Sequence, residues 1–122
     1  MSAILVIDDE PQARKFIATV LEGEGFNVST ASNGKEALDL IRHERFDLVV
    51  TDLYMPETDG METIMELRKI HPDVKIIAVS GGGMPGDVLS FATSLGAEKA
   101  LAKPFTVNQV ISAVNELLDD GT

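Results

Sequence analysis

Ala3-Ile4-Leu5-Val6-Ile7-Asp8-Asp9 sets five apolar residues directly against two carboxylates. A run this short, apolar at every position and bounded by charge, reads as a strand buried on both faces that ends where Asp8 begins. Similar runs follow at Leu48 to Val50, at Ile76 to Val79 and, more weakly, at Ala100 to Ala102. Asn27 to Ala31 alternates polar and apolar residues, as an edge strand does. The segments between these runs have helical spacing. Ala13, Phe16, Ile17, Val20 and Leu21 form one stripe, Ala37, Leu38 and Ile41 a second, and Met61, Ile64 and Leu67 a third. Val88, Leu89, Ala92 and Leu95 predict a helix between the fourth and fifth strands. The last stretch carries Val107, Val110, Ile111, Val114, Leu117 and Leu118 along one face. Strict alternation of strand and helix implies an α/β fold of parallel strands, joined by right-handed crossovers and covered by helices on both faces.

The punctuation agrees. Asp9-Glu10-Pro11 and Thr106 read as helix starts. Glu24-Gly25, Asn33-Gly34, His71-Pro72 and Leu95-Gly96 read as stops and turns. The 122 residues fit one domain, 1–122, with no internal repeat and no linker, and no output domain is expected after the last helix. There is no cysteine, and the apolar start is too short and lacks the basic flank of a signal or membrane segment; a cytoplasmic protein without membrane insertion is expected. Twenty acidic against ten basic residues give a net charge of −10, which would repel a phosphate backbone and argues against direct nucleic-acid binding.

In an open α/β sheet, ligands bind beyond the carboxyl ends of the strands, at the switch point of strand order. Asp8 and Asp9 follow the first run, Asp52 follows the third, Ser80 the fourth and Lys103 the fifth. Ser32 and Asn33, after the second, read as turn residues. Any one of the reactive groups is ordinary: Asp8 and Asp9 could cap a helix, and Asp52 could serve a turn. Together at one sheet edge they specify chemistry. Three carboxylates repel, and a hard cation with oxygen ligands relieves them, Mg²⁺ better than Ca²⁺ where the ligands are few. A carboxylate can attack phosphorus to form an acyl phosphate, a cation such as Lys103 can offset the incoming charge, and Ser80 can donate a hydrogen bond to it. These parts make a phosphoryl-acceptor site.

With these residues in place the chain resembles the receiver domains of bacterial two-component response regulators, in particular a single-domain, chemotaxis-regulator-like type. The resemblance covers essentially the whole chain. It rests on Asp8-Asp9, on Asp52-Leu53-Tyr54-Met55-Pro56 with Asp59-Gly60, on Ser80, and on Lys103-Pro104-Phe105. It implies a flavodoxin-like doubly wound (βα)5 fold with strand order 2-1-3-4-5. It implies Asp52 as phosphoacceptor, and Mg²⁺ ligated by Asp9, Asp52 and the Tyr54 backbone carbonyl, with Asp8 acting mainly through water. Ser80 would bond the phosphoryl group, and Lys103 would find its full partner only when that group arrives. A cis peptide between Lys103 and Pro104 is also implied. The implied function is phosphorelay signalling: a sensor histidine kinase or histidine phosphotransfer protein donates the group, and the modified domain changes its affinity for a protein output target. No turnover enzyme is implied, beyond slow self-dephosphorylation.

Two positions depart from the family. Ala100 stands where receivers place an aromatic, and Ser80 leads into a Gly81-to-Gly86 loop rich in glycine. An aromatic toggle cannot operate at Ala100, so the loop and the helix carrying Val88, Leu89 and Phe91 become the expected switch. That departure motivates one alternative, a receiver-like scaffold that never signals through phosphate. A haloacid-dehalogenase-type phosphatase also uses a strand-end aspartate, but needs a second acid where this chain has Tyr54. The Gly81-Gly82-Gly83 run lacks the Lys-Ser/Thr of a P-loop. His43 and His71 stand alone, one of them near a helix end. Met55, Met61 and Met65 read as core or gap-filling residues.

Overall fold

The computed structural model describes residues 2–55, 58–80 and 96–118. Strand β1 (Ala3–Ile7) leads to helix α1 (Pro11–Gly23), β2 (Asn27–Ala31), α2 (Gly34–His43) and β3 (Leu48–Asp52). A small antiparallel pair, Tyr54–Met55 with Thr58–Asp59, precedes α3 (Gly60–Ile70), β4 (Lys75–Ser80), β5 (Lys99–Ala102) and α4 (Val107–Leu118). The five long strands form one parallel sheet in the order β2-β1-β3-β4-β5. This is the flavodoxin-like doubly wound arrangement with order 2-1-3-4-5. The Gly81-to-Gly86 loop, Phe91 and the helix expected over Val88 to Leu95 lie outside the described residues.

Alternation along the central strands builds two cores, one on each side of the sheet. Leu5 and Ile7, Val49, and Ile76 and Ala78 face Ala37 and Ile41 of α2 and Ile64 and Leu67 of α3. Ile4 and Val6, Leu48 and Val50, and Ile77 and Val79 face Ile17 and Leu21 of α1 and Val110, Ala113 and Val114 of α4. Strand β2 lies at one edge, as its polar alternation predicts.

The ends of the elements differ from the expectation in several places. β3 and β4 run on through Asp52 and Ser80, because both polar residues are buried in the ladder. Asn33 does not stop a helix: its side chain accepts from the Glu36 N–H at 2.8 Å and caps α2. Thr106 and Gln109 form a reciprocal capping box at α4, with Gln109 N–H donating to Thr106 Oγ1 at 3.1 Å and Thr106 N–H to Gln109 Oε1 at 2.7 Å. Phe16 and Val107 are exposed, so the apolar stripes of α1 and α4 are each wider than the surface they bury; Met65 is exposed as well and is no core residue. His43 does close its helix, with Nδ1 against the Asp39 carbonyl at 2.7 Å.

At the end of the sheet away from Asp52, Arg68 of α3 donates to the Pro72, Val74 and Gly96 carbonyls and pairs with Glu98. Glu98 in turn accepts from the Ile76 N–H at 2.7 Å. Gly96 holds a positive φ of 125°, and a Cβ there would meet the Arg68 side chain, so glycine is required by both backbone and space. This tie sets the entry to β5, the strand that delivers Lys103.

Candidate functional site

Register explains why the acids meet. Val6 pairs with Val50 and Ile7 with Thr51, so one further step places Asp8 beside Asp52. The same alternation sets their face: Asp8 continues the row Ile4-Val6, and Asp52 continues Leu48-Val50. Lys103 continues the row of Leu101, which packs in the same core. Ser80 ends the opposite row after Ile76 and Ala78. Asp52 therefore has the lysine's row on one side of the sheet and the hydroxyl's row on the other. The position lies at the β1/β3 switch point, where the chain leaves toward opposite edges.

Asp8, Asp52 and Ser80 are 1%, 5% and 2% exposed, whereas Asp9 is open to solvent. Each of the three aspartates offers a carboxylate oxygen within 4.8 Å of the other two. Such a set of hard oxygen donors fits a small divalent cation, and these residues could hold one. Tyr54 lies just beyond, in the short strand paired to Asp59. Leu53 anchors the turn into it by donating its N–H to the Val79 carbonyl at 2.8 Å. Ser80 and Lys103 are tied through the backbone, Lys103 N–H donating to the Ser80 carbonyl at 2.9 Å.

The ammonium of Lys103 lies 3.2 Å from Asp8 Oδ2 and 3.3 Å from Asp52 Oδ2, so it bridges the two buried acids. Burial alone would push its pKa down. The negative charges of Asp52 and Asp8, with the hydrogen bonds they accept, outweigh that and hold it above the ordinary value. Part of the repulsion assigned to a metal is thus relieved by the protein itself. The Lys103–Pro104 peptide is cis, as the resemblance implies.

Two features escaped sequence reasoning. Arg14, on the first turn of α1, donates from Nη1 to the Asp8 backbone carbonyl at 2.8 Å. Its spacing of five and six residues after the acidic pair carries no recognisable motif. Phe16 and Phe105 pair at 6.3 Å between ring centroids, making an apolar patch two residues past Lys103. Beside Ala100, a groove of about 530 Å³ runs between β5 and α4. Among the described residues, no helix is long and apolar enough to cross a membrane.

The chain matches the response regulator receiver domain family over residues 4–115. It is 36% identical to the transcriptional regulatory protein CpxR homolog of Haemophilus influenzae, covering 97% of this chain and 51% of that protein. It is 37% identical to the sensor kinase CckA of Brucella abortus, covering 97% of this chain and 13% of the relative. The chain thus spans about half the length of the first relative and far less of the second. Among solved structures, the receiver domain of the Francisella response regulator 1452 superposes with a TM-score of 0.90 at 31% identity, covering 100% of both chains. A response regulator receiver domain protein from Clostridium thermocellum gives 0.89 at 35% identity, over 98% of this chain and 95% of that one. Register, acidic edge and sequence agree: the chain belongs to the response regulator receiver domain family.

Proposed function

We propose that the chain is a phosphorylation-controlled signalling module in which Asp52 accepts a phosphoryl group from a phosphohistidine on a sensor kinase or phosphotransfer protein. One observation carries the reading: a buried strand-end carboxylate, Asp52, held by Lys103, with the Asp8 and Asp9 carboxylates within 4.8 Å. An Asp52 oxygen attacks phosphorus, the P–N bond breaks, and the electron pair returns to the imidazole nitrogen, which takes up a proton. Asp9, Asp52 and the Tyr54 carbonyl would ligate Mg²⁺, with Asp8 acting through water. Bound there, the ion supplies positive charge to the phosphoryl oxygens. Lys103 follows the charge, leaving the carboxylates for the incoming oxygens, and Ser80 donates to another of them. Asp52 is modified once per signalling cycle, so the domain is a substrate of its donor and no turnover enzyme. Cytoplasmic action and a protein output target complete the proposal.

The test is intact-mass analysis after treatment with acetyl phosphate and Mg²⁺. One adduct is expected on the wild type and none on Asp52→Asn. Full labelling of the variant would overturn the assignment, and an unlabelled wild type would favour a scaffold that does not use phosphate.

A further inference from the structure

Asp8 is held from all sides. Its N–H donates to the Ala31 carbonyl at 3.1 Å, Oδ1 accepts from the Glu10 N–H at 2.9 Å, and Oδ2 accepts from Lys103. Its carbonyl oxygen accepts from Arg14 Nη1 at 2.8 Å. Asp9 is the opposite case. It is exposed, and among the described residues no donor reaches its carboxylate, so the backbone, by setting the Cα–Cβ direction, is what limits the rotamers that bring that carboxylate to the other two acids. That backbone lies between two peptide planes. The plane before Asp9 carries the Asp8 carbonyl, which Arg14 fixes. The plane after it carries the Glu10 N–H, which Asp8 Oδ1 fixes.

We infer that Arg14 is a positioning residue for Asp9: by fixing the Asp8–Asp9 peptide plane from the first turn of α1, it holds the Asp9 Cα–Cβ bond in the direction from which the exposed carboxylate reaches Asp52. The inference rests on the proposed role of Asp9 as a metal ligand, and it makes a claim about sign. A guanidinium beside a carboxylate cluster, acting through charge alone, repels a divalent cation, and its removal tightens metal binding. Acting through position, its removal weakens binding, as the loss of a residue that orients a ligand does. The two roles predict opposite outcomes.

The experiment is calorimetric titration of the whole chain with Mg²⁺ for wild type, Arg14→Ala and Arg14→Lys, alongside amide hydrogen exchange of the metal-free proteins. Arg14→Ala is expected to weaken Mg²⁺ binding about tenfold. It should also speed exchange at the Glu10 amide without metal. Arg14→Lys, which keeps the charge and loses the planar fork, should recover only part of the affinity. Binding in Arg14→Ala that is unchanged or tighter, with Glu10 protection intact, would overturn the inference. A wild type that takes up no Mg²⁺ would instead sink the metal reading. In that case Glu10 exchange in the metal-free variants still decides, faster exchange supporting Arg14 as the anchor of the turn and unchanged exchange refuting it. Melting curves of all three chains separate either result from a failure to fold.

Discussion

Lys103 is where the site's electrostatics are decided. One ammonium bridges two buried acids, so truncating it leaves Asp8 and Asp52 facing each other without that cation. Lys103→Met is expected to cost about 2 kcal/mol at neutral pH, the penalty of an uncompensated, partly buried charge. Chemical denaturation checks it, and a loss below a few tenths would mean that the carboxylates are satisfied elsewhere. The pH dependence follows from the raised pKa. The contribution of Lys103 is complete below its ordinary value of 10.5 and is lost only as pH climbs past the higher folded value. Wild type should therefore lose an increment of stability in strong alkali that Lys103→Met has already lost, and the two curves should converge there. The residues of this site were legible in the sequence as types at strand ends. Their pairing was not, since the lysine's reach depends on Leu101 and Val50 sharing a face, a fact of register. Arg14 was less legible still: its contact is to a backbone carbonyl, which has no signature in side-chain chemistry.

At the scale of elements, apolar runs and one alternating segment located every strand of the main sheet, matching β1 and β2 end to end but stopping short of the ends of β3 and β4. Thr51, Asp52 and Ser80 are polar, yet hydrogen bonding in the ladder and burial extend β3 and β4 through them. Helical stripes erred the other way. Phe16 and Val107 fit the period of α1 and α4 yet remain exposed, because a helix buries only the arc that meets the sheet. Caps were half legible: Thr106 was read as a start, while Asn33 was taken for a turn and is instead the first residue to satisfy an α2 N–H. Helix α4 has the better cap and places Val110 and Val114 against β4. Thr106→Ala should lower stability by about 1 kcal/mol, since it removes the oxygen that receives the Gln109 N–H. Val114→Ala, buried completely, should cost more, about 2 kcal/mol or above. Urea unfolding of the two variants tests the ranking, and equal losses would mean that the helix end is held by packing alone.

The described residues form a sheet with a core on each side and a cluster of acids bridged by a lysine at the carboxyl ends of its strands. Alternation of strand and helix disclosed the layers, whereas which helices share a side became visible only through pairing. Mg²⁺, on the proposed reading, stabilises the edge by RT ln(1 + [L]/Kd), about 1.4 kcal/mol at roughly ten times Kd. Asp9→Asn should reduce that dependence. A melting temperature indifferent to Mg²⁺ in the wild type would count against the site. The bridging lysine also has a consequence in time. A ribosome delivers Asp8 first, Asp52 midway and Lys103 only with the last strand. The two acid-bearing strands are thus synthesised well before their counter-charge, and the carboxyl edge can be electrically completed only after the last strand of the sheet has been made. Protease resistance of stalled nascent chains is expected to appear only after β5 and α4 have cleared the exit tunnel; resistance in a chain stalled before Lys99 would show that the edge closes without its cation.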